Sequence, residues 1–214
     1  MSDKSNKYGY VGVDIPAQSF GANKGVFNPA EINDLVANNQ WTTFGQLELI
    51  ETQTYSSSVA YVDFTTLGDY NVHLLTYQDV MPDTNNIRPM QLQFFESGVL
   101  ETGTVYQYAQ QYSYIGGSAE LKTTADSKIE LAYEIGNTTP CSANGYCYMY
   151  NLIDNTKYSF TTNHTVRGNT TTFTGAIFGS GVMTQASTVD GFRLKMSSNN
   201  YASFDMSLYG IRYS

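Results

Sequence analysis

The chain has 214 residues, of which 41% are hydrophobic, which suits one large β domain with or without an extension. Its 11 lysines and arginines are outnumbered by 19 aspartates and glutamates, so the net charge is −8. A nucleic-acid-binding protein needs a basic surface to displace counterions from phosphates, and no stretch of the chain clusters lysine or arginine. We therefore expect no nucleic-acid partner. The absence of a long apolar run also predicts no membrane insertion.

The polar residues are mostly uncharged. Charged side chains make up 14% of the chain, whereas about 25% is typical of soluble domains. Tyrosine is frequent, with 18 copies, and its apolar body and polar tip suit half-buried sheet faces and interfaces. A neutral, tyrosine-rich surface is common where copies of a protein pack together or where a protein meets sugars.

Residues 1–27 show no sustained periodicity and predict an extended coil. The next segment, NPAEINDLVANN, has helix-start signals: Asn28 is a good N-cap, and Pro29 fits the first helical position. We therefore predict a short α-helix near 29–38. A helix of this length is not stable alone in water, so its apolar stripe must pack against the body, a neighbouring subunit or a partner.

Residues 1–45 are thus predicted to form an N-terminal docking arm. Aromatic side chains of this kind dominate the energy of many interfaces. The residues predicted to contact the docking partner are Phe20, Val26, Phe27, Ile32, Leu35, Val36 and Trp41.

From residue 46 onward the hydrophobic period changes to two. In RPMQLQFFE, for example, Met90, Leu92 and Phe94 alternate with Gln91 and Gln93. We count about ten strand candidates separated by turn signals, which predicts an all-β antiparallel sandwich. Eight core strands with one or two extra favour a jelly roll over residues 46–214.

No residue pattern predicts catalysis or a cofactor. His73 and His164 lack metal-ligand partners at a suitable spacing, and no GxSxG motif occurs. Glu130 and Glu134 would share one strand face, but acids at that spacing are about 13 Å apart, too far for a glycosidase pair. We interpret them as a solvated strand face and predict that the protein is not an enzyme.

Two further residue pairs are candidates for metal binding or for a disulfide. Asp79 and Asp83 only faintly resemble a calcium loop, so we predict no metal site. Cys141 and Cys147 lie close enough in sequence for a disulfide across their loop. Synthesis in the cytoplasm argues for free thiols unless the protein ends up outside the cell.

A group of tyrosines forms the most prominent aromatic pattern. They could stack on sugar rings, or they could fill the edge of the core and a subunit interface; we favour the second interpretation. The tyrosines assigned to this glycan or subunit interface are Tyr106, Tyr108, Tyr112, Tyr114, Tyr146 and Tyr148, with Tyr150 and Tyr158 nearby.

Two segments resemble virion structural proteins of tailed bacteriophages, especially those of marine and cyanobacterial phages. They are residues 9–54, from GYVGVDIP to LIETQT, and residues 192–214, FRLKMSSNNYASFDMSLYGIRYS. The resemblance implies a particle component, often a homotrimeric jelly roll, on the tail or the capsid. It supplies no functional residues.

The resulting hypothesis is a tail fibre or tail-appendage subunit, attached to other virion proteins through its arm and assembled in the host cytoplasm. The resemblance implies that this subunit associates with copies of itself as a homotrimer. The missing apolar core of a signal peptide agrees with that location. The alternatives are a capsid decoration protein and a carbohydrate-binding module that contacts a host-surface glycan.

Overall fold

The computed structural model describes residues 29–38, 47–84, 88–170 and 173–211. The chain divides into two units, Met1–Gly45 and Gln46–Tyr213. In the first unit, helix α1 spans Pro29–Ala37, which confirms the predicted helix. At its C-terminal end, Asn38 donates hydrogen bonds from its backbone and its side-chain amide to the carbonyl oxygen of Asp34, at 3.0 and 2.7 Å.

The predicted docking residues are only partly covered by the described ranges. Leu35 is buried, Ile32 is half-buried and Val36 is 57% exposed. Phe20, Val26, Phe27 and Trp41 lie outside the described residues.

The described part of the second unit contains thirteen β-strands. In chain order they are β1 (Leu47–Tyr55), β2 (Tyr61–Phe64), β3 (Val72–Pro82), β4 (Arg88–Glu96), β5 (Val99–Leu100), β6 (Tyr106–Tyr114), β7 (Gly117–Asp126), β8 (Ile129–Ile135), β9 (Ala143–Tyr150), β10 (Tyr158–Thr170), β11 (Phe173–Ala186), β12 (Val189–Met196) and β13 (Tyr201–Ile211).

These strands form two antiparallel sheets. The larger has eight strands in the order β1-β13-β3-β9-β10-β11-β6-β7. In the smaller, β2, β12 and β4 are neighbours, and both β5 and β8 pair with β4. The prediction of an all-β antiparallel sandwich is confirmed.

A jelly roll is recognisable inside this arrangement. Strands β1-β13-β3-β9 form one four-stranded sheet and β2-β12-β4-β8 the other. Along the chain these strands alternate between the two sheets, except that β4 and β8 lie in the same one. This is the double-sheet pattern of a jelly roll, as the sequence predicted.

The strand count exceeds the prediction because two long hairpins are inserted into the jelly roll and the short strand β5 pairs with β4. Hairpin β6-β7 precedes β8, and hairpin β10-β11 precedes β12. Together they add four strands beside β9 and extend the larger sheet. We call these four strands the extension. Strand β8 packs on the inner side of β10, β11 and β6.

The hydrophobic core lies between the two sheets of the jelly roll. Met90, Leu92 and Phe94 point into it and are buried, as their alternation predicted. The rings of Phe64 and Phe192, on the paired strands β2 and β12, stack with centroids 5.0 Å apart.

Close packing holds β8 against the extension. A Cβ atom at Gly181 of β11 would lie 2.8 Å from two methyl carbons of Ile129 in β8, so glycine allows this approach. Gly181 also faces Tyr108 of β6 across the ladder. The bulky tyrosine fills space beside the bare glycine backbone, a pairing that stabilises glycine within sheets.

Both cysteines are free thiols in buried positions, so the alternative of a disulfide between Cys141 and Cys147 does not hold in this structure. Burial raises the pKa of the Cys147 thiol. No helix among the described residues is long and apolar enough to cross a membrane.

Candidate functional site

Strand β10 has the reverse of the usual polarity for a sandwich. Its inward positions are all polar and buried: Ser159, Thr161, Asn163, Thr165 and Arg167. Its outward positions include large apolar side chains. A sheet with one solvated face normally places its apolar residues inward and its polar residues outward. The outward side of β10 is therefore the more apolar side.

The outward residues of β10 are part of a wider surface. In the larger sheet, the strand register aligns three rows of outward side chains across seven neighbouring strands: β1, β13, β3, β9, β10, β11 and β6. We call these three rows the outer face. The first row is Leu47, Ile211, Val72, Tyr150, Phe160, Val182 and Gln107; the second is Leu49, Tyr209, Leu74, Tyr148, Thr162, Ser180 and Ala109; the third is Thr52, Ser207, Thr76, Tyr146, His164, Phe178 and Gln111.

None of these rows contains Asp, Glu, Lys or Arg, although the chain carries 19 acidic and 11 basic residues of these types. Charges begin at the margins. On β7, Lys122 and Glu120 lie beside the rows and form an ion pair of 2.6 Å. On the next row of β13, Asp205 lies opposite Gln78. The outer face is thus an uncharged centre with a charged rim.

Aromatic side chains touch one another along the outer face. Tyr150 stacks on Tyr148 at 6.4 Å, and Tyr148 meets Tyr146 edge to face at 5.7 Å. His164 bridges Tyr146 and Phe178, with ring centroids 6.0 and 6.2 Å away. These contacts hold a rigid aromatic band across β9, β10 and β11. Phe178 nevertheless remains 48% exposed.

A shallow groove of about 630 Å³ opens on the same side of the extension. Phe160 and Val182 supply its apolar wall, and Lys122 lies on the opposite side. The small side chains of Ala109 and Ser180 leave the depression between them. Phe160 is 44% exposed, so its ring is available to an occupant of the groove.

The structure separates the tyrosines that the sequence analysis grouped together. Tyr146 and Tyr148 lie on the outer face. Tyr106 and Tyr112 are buried on the inner side of β6, so they are unavailable to a glycan or another subunit. The Tyr106 hydroxyl accepts a hydrogen bond from the Phe94 amide and donates one to a backbone carbonyl, which satisfies its polar tip inside the core.

Tyr112 instead belongs to an internal polar cluster. Its hydroxyl donates to Glu134 at 2.7 Å, and Arg167 lies over its ring at 4.9 Å and pairs with Glu134 at 3.2 Å. Burial, followed by the hydrogen bond to Glu134, raises the pKa of Tyr112 to about 12. The cluster ties β6, β8 and β10 together.

Tyr108 and Tyr114 lie on the inner side as well, whereas Tyr150 belongs to the outer face and Tyr158 is exposed. Tyr114 stacks on Tyr112 at 5.1 Å, and Tyr108 is half-buried with its hydroxyl 3.4 Å from Asp126. Glu134 is engaged in the internal cluster, and burial raises the pKa of Glu130. The interpretation of these two acids as a solvated strand face was therefore wrong, because β8 packs against the extension.

Within the described residues no group of three or more His, Cys, Asp or Glu side chains is placed to hold a metal ion. His73 is buried and its Nε2–H donates to the Leu67 carbonyl at 2.9 Å, which assigns it a structural role. His164 lies on the outer face.

Sequence reasoning missed Phe160, Phe178 and Val182 as surface residues. For Phe160, the sequence did contain a pattern that indicates an outward side chain. In SFTTNHTVR, polar residues occupy every second position from Ser159 to Arg167, and Phe160 lies between them. Alternation alone does not say which side of a strand is buried, and apolar residues are ordinarily assigned inward.

Comparisons of the chain with protein-family models, curated proteins and solved structures found no match. Function is therefore inferred from the sequence and from the outer face.

Proposed function

We propose that this chain is a non-enzymatic structural subunit of a tailed-phage particle, a tail fibre or tail-appendage protein attached through its N-terminal arm. The observation that carries this proposal is the uncharged, aromatic outer face. The resemblance of residues 9–54 and 192–214 to phage virion proteins supplies the biological setting.

The outer face has the composition of an association surface. Protein interfaces are depleted of charge at their centre, are enriched in aromatic residues and have a polar rim. The outer face has this arrangement, with Tyr148 near its centre and the Lys122–Glu120 pair at its margin. Monomeric proteins rarely expose a large contiguous apolar patch without a role in binding.

Helix α1 supports the second part of the proposal. It has nine residues, and Val36 on its surface is 57% exposed. A helix this short gains most of its stability from packing an apolar side against another surface. A neighbouring virion protein is the contact that we propose for it.

The test is the composition of purified particles of the phage that encodes the chain. We expect the full chain in salt-washed particles at a fixed copy number, by quantitative mass spectrometry. A chain lacking residues 1–45, supplied in its place, should fold but stay out of the particles. The full chain carrying Ile115→Asp, an exposed position in the turn after β6, is the control that should be incorporated.

Two results would contradict this proposal. Absence of the full chain from particles while it accumulates in the lysate would overturn the structural role. Normal incorporation of the shortened chain would overturn attachment through the arm. Immunogold labelling of intact particles separates a tail subunit from the alternative, a capsid decoration protein.

A second candidate function is carbohydrate binding, which the groove beside Phe160 favours. An exposed aromatic ring can stack on a sugar, and the hydroxyl of Ser180 and the amide of Gln107 also line the groove. Binding to a glycan array, lost in Phe160→Ala and kept in Ile115→Ala, would support this function for host attachment.

A further inference from the structure

We propose that the outer face packs against a second copy of this chain, and that an apolar side chain of that copy fills the groove beside Phe160. This inference names the partner of the surface described above and rests on the proposed role as a structural subunit. Four properties of the outer face identify the partner: its polarity, its area, its charge and its shape.

Polarity shows that the outer face is built for burial. On β10 the inward positions Thr161, Asn163 and Thr165 are polar, whereas Phe160 and Val166 point outward and are about half exposed. Burial of the outward side would stabilise a strand in this orientation, because the transfer of apolar side chains out of water lowers the free energy. A partner on the outer face provides that burial.

The area of the outer face suits a stable contact between proteins. Seven strands spaced about 4.8 Å apart, with three rows of side chains along each, project to about 30 by 20 Å, or about 600 Å². Val72 and Leu74 of β3 are already buried, so the exposed area is at most about this value. Stable interfaces bury about 600–1,000 Å² per partner, so the outer face corresponds to the lower end of that range.

Charge favours another copy as the occupant. Two chains that each carry a net charge of −8 repel each other wherever their acidic surfaces meet. The outer face avoids this repulsion because its rows contain no acidic or basic side chain. A strongly charged partner could form no ion pair with the outer face. The tyrosine, serine and threonine hydroxyls of the face can both donate and accept hydrogen bonds, so they can pair with the same hydroxyls of a second copy.

The shape of the outer face is the fourth property that favours a second copy as the partner. Phe178 is exposed on β11. The groove lies further along the same strand, where Ser180 and Val182 line it. When two copies meet, a protruding side chain of one copy can pack into the groove of the other. Aromatic residues seated in such pockets are the usual centres of binding energy at interfaces.

The experiment measures the mass of the full chain by light scattering over a concentration series. We expect the wild-type chain to form an oligomer at micromolar concentration. Phe178→Asp and Phe160→Asp should each raise the dissociation constant at least about 30-fold, as expected when an aromatic anchor of an interface is replaced by a charge. Phe178→Ser tests the contact without adding a charge and should weaken association in the same direction.

Val99→Asp and Ile115→Asp are the matched controls. Their side chains are 69% and 72% exposed and lie off the outer face. They introduce the same charge into an exposed apolar position and should leave the dissociation constant within about threefold, since exposed positions away from an interface contribute little. Circular dichroism and urea unfolding verify that all five variants keep the fold.

A wild-type chain that stays monomeric at 100-fold higher concentration would overturn this inference, and the outer face would then belong to another occupant, such as a glycan. An oligomer that persists in Phe178→Ser and in both Asp variants at that face would overturn it as well. Presence in particles is a separate readout. A chain that oligomerises as expected but is missing from particles refutes the virion role and leaves this contact standing.

Discussion

Two threonines on the inward side of β10 give a sharp test of the reversed polarity of that strand. Thr161 and Thr165 are both fully buried and point the same way. Replacing either by valine keeps the shape of the side chain and removes only the hydroxyl. We expect the two substitutions to change stability in opposite directions.

The difference follows from their hydrogen bonds. Thr165 donates to the Leu131 carbonyl at 2.6 Å, and because it has one proton, the buried hydroxyl of Tyr77 must donate to Thr165. Thr165→Val leaves Tyr77 without an acceptor and should cost about 2 kcal/mol. The Thr161 hydroxyl has no hydrogen-bond partner among the described residues, so Thr161→Val should stabilise by about 1 kcal/mol.

Urea and thermal unfolding at one fixed protein concentration measure these changes, because assembly would otherwise add a concentration-dependent contribution. For a chain of this size, about 2–4 °C accompanies each kcal/mol, so Tm should fall by about 4–8 °C in Thr165→Val and rise by about 2–4 °C in Thr161→Val. Equal destabilisation by both substitutions would refute the reasoning. It would mean that the Thr161 hydroxyl is hydrogen-bonded in solution.

Three further predictions concern buried groups. Burial lowers the pKa of His73 from its usual 6.5, so below that pH the unfolded chain binds a proton that the folded chain does not. Stability should therefore be full above pH 6.5 and fall as the pH drops, and urea titrations of His73→Gln should show a smaller loss over the same range. Cys141 and Cys147 should resist a thiol reagent in the native protein and react together on unfolding; prompt labelling of the native chain would contradict their burial. Tyr112→Phe removes the hydroxyl that bonds Glu134 and should lower the unfolding free energy by about 1–2 kcal/mol in urea, with no change expected at the exposed control Ile115→Ala.

The jelly-roll strands were predictable where the alternating residues are clearly apolar or clearly polar. Met90, Leu92 and Phe94 alternate with glutamines, so the side of β4 that joins the hydrophobic core follows from hydrophobicity, although Gln91 and Gln93 on its other side are buried as well. Tyrosine gives no such signal, because its ring can be buried while its hydroxyl finds a partner. Tyr106 is buried in this way and Tyr146 is exposed, although both lie in similar tyrosine-rich segments.

The insertion of two hairpins could not be predicted from local pattern. The turn signals indicate that β10 and β11 pair, but not that β11 then pairs with β6, a strand more than fifty residues earlier. Such pairings depend on contacts between residues distant in the chain, and the sequence carries no local record of them. The helix near 29–38 was predictable because its capping and N1 residues are adjacent in the sequence.

The extension explains why the outer face and the polar inner side of β10 occur together. The jelly roll provides a complete second sheet to cover β1, β13, β3 and β9, whereas the extension is covered by the single strand β8. Some of the polar groups under that strand are paired through Gln110, which donates to Asn163 at 3.2 Å, and through Asn163, which donates to the Leu131 carbonyl at 3.3 Å. This hydrogen-bonded seam joins β6, β10 and β8 without requiring a second apolar core. The apolar residues of β10 and β11 are then available on the opposite side. The same hairpins that enlarge the sheet therefore supply the surface through which we propose that the subunits assemble.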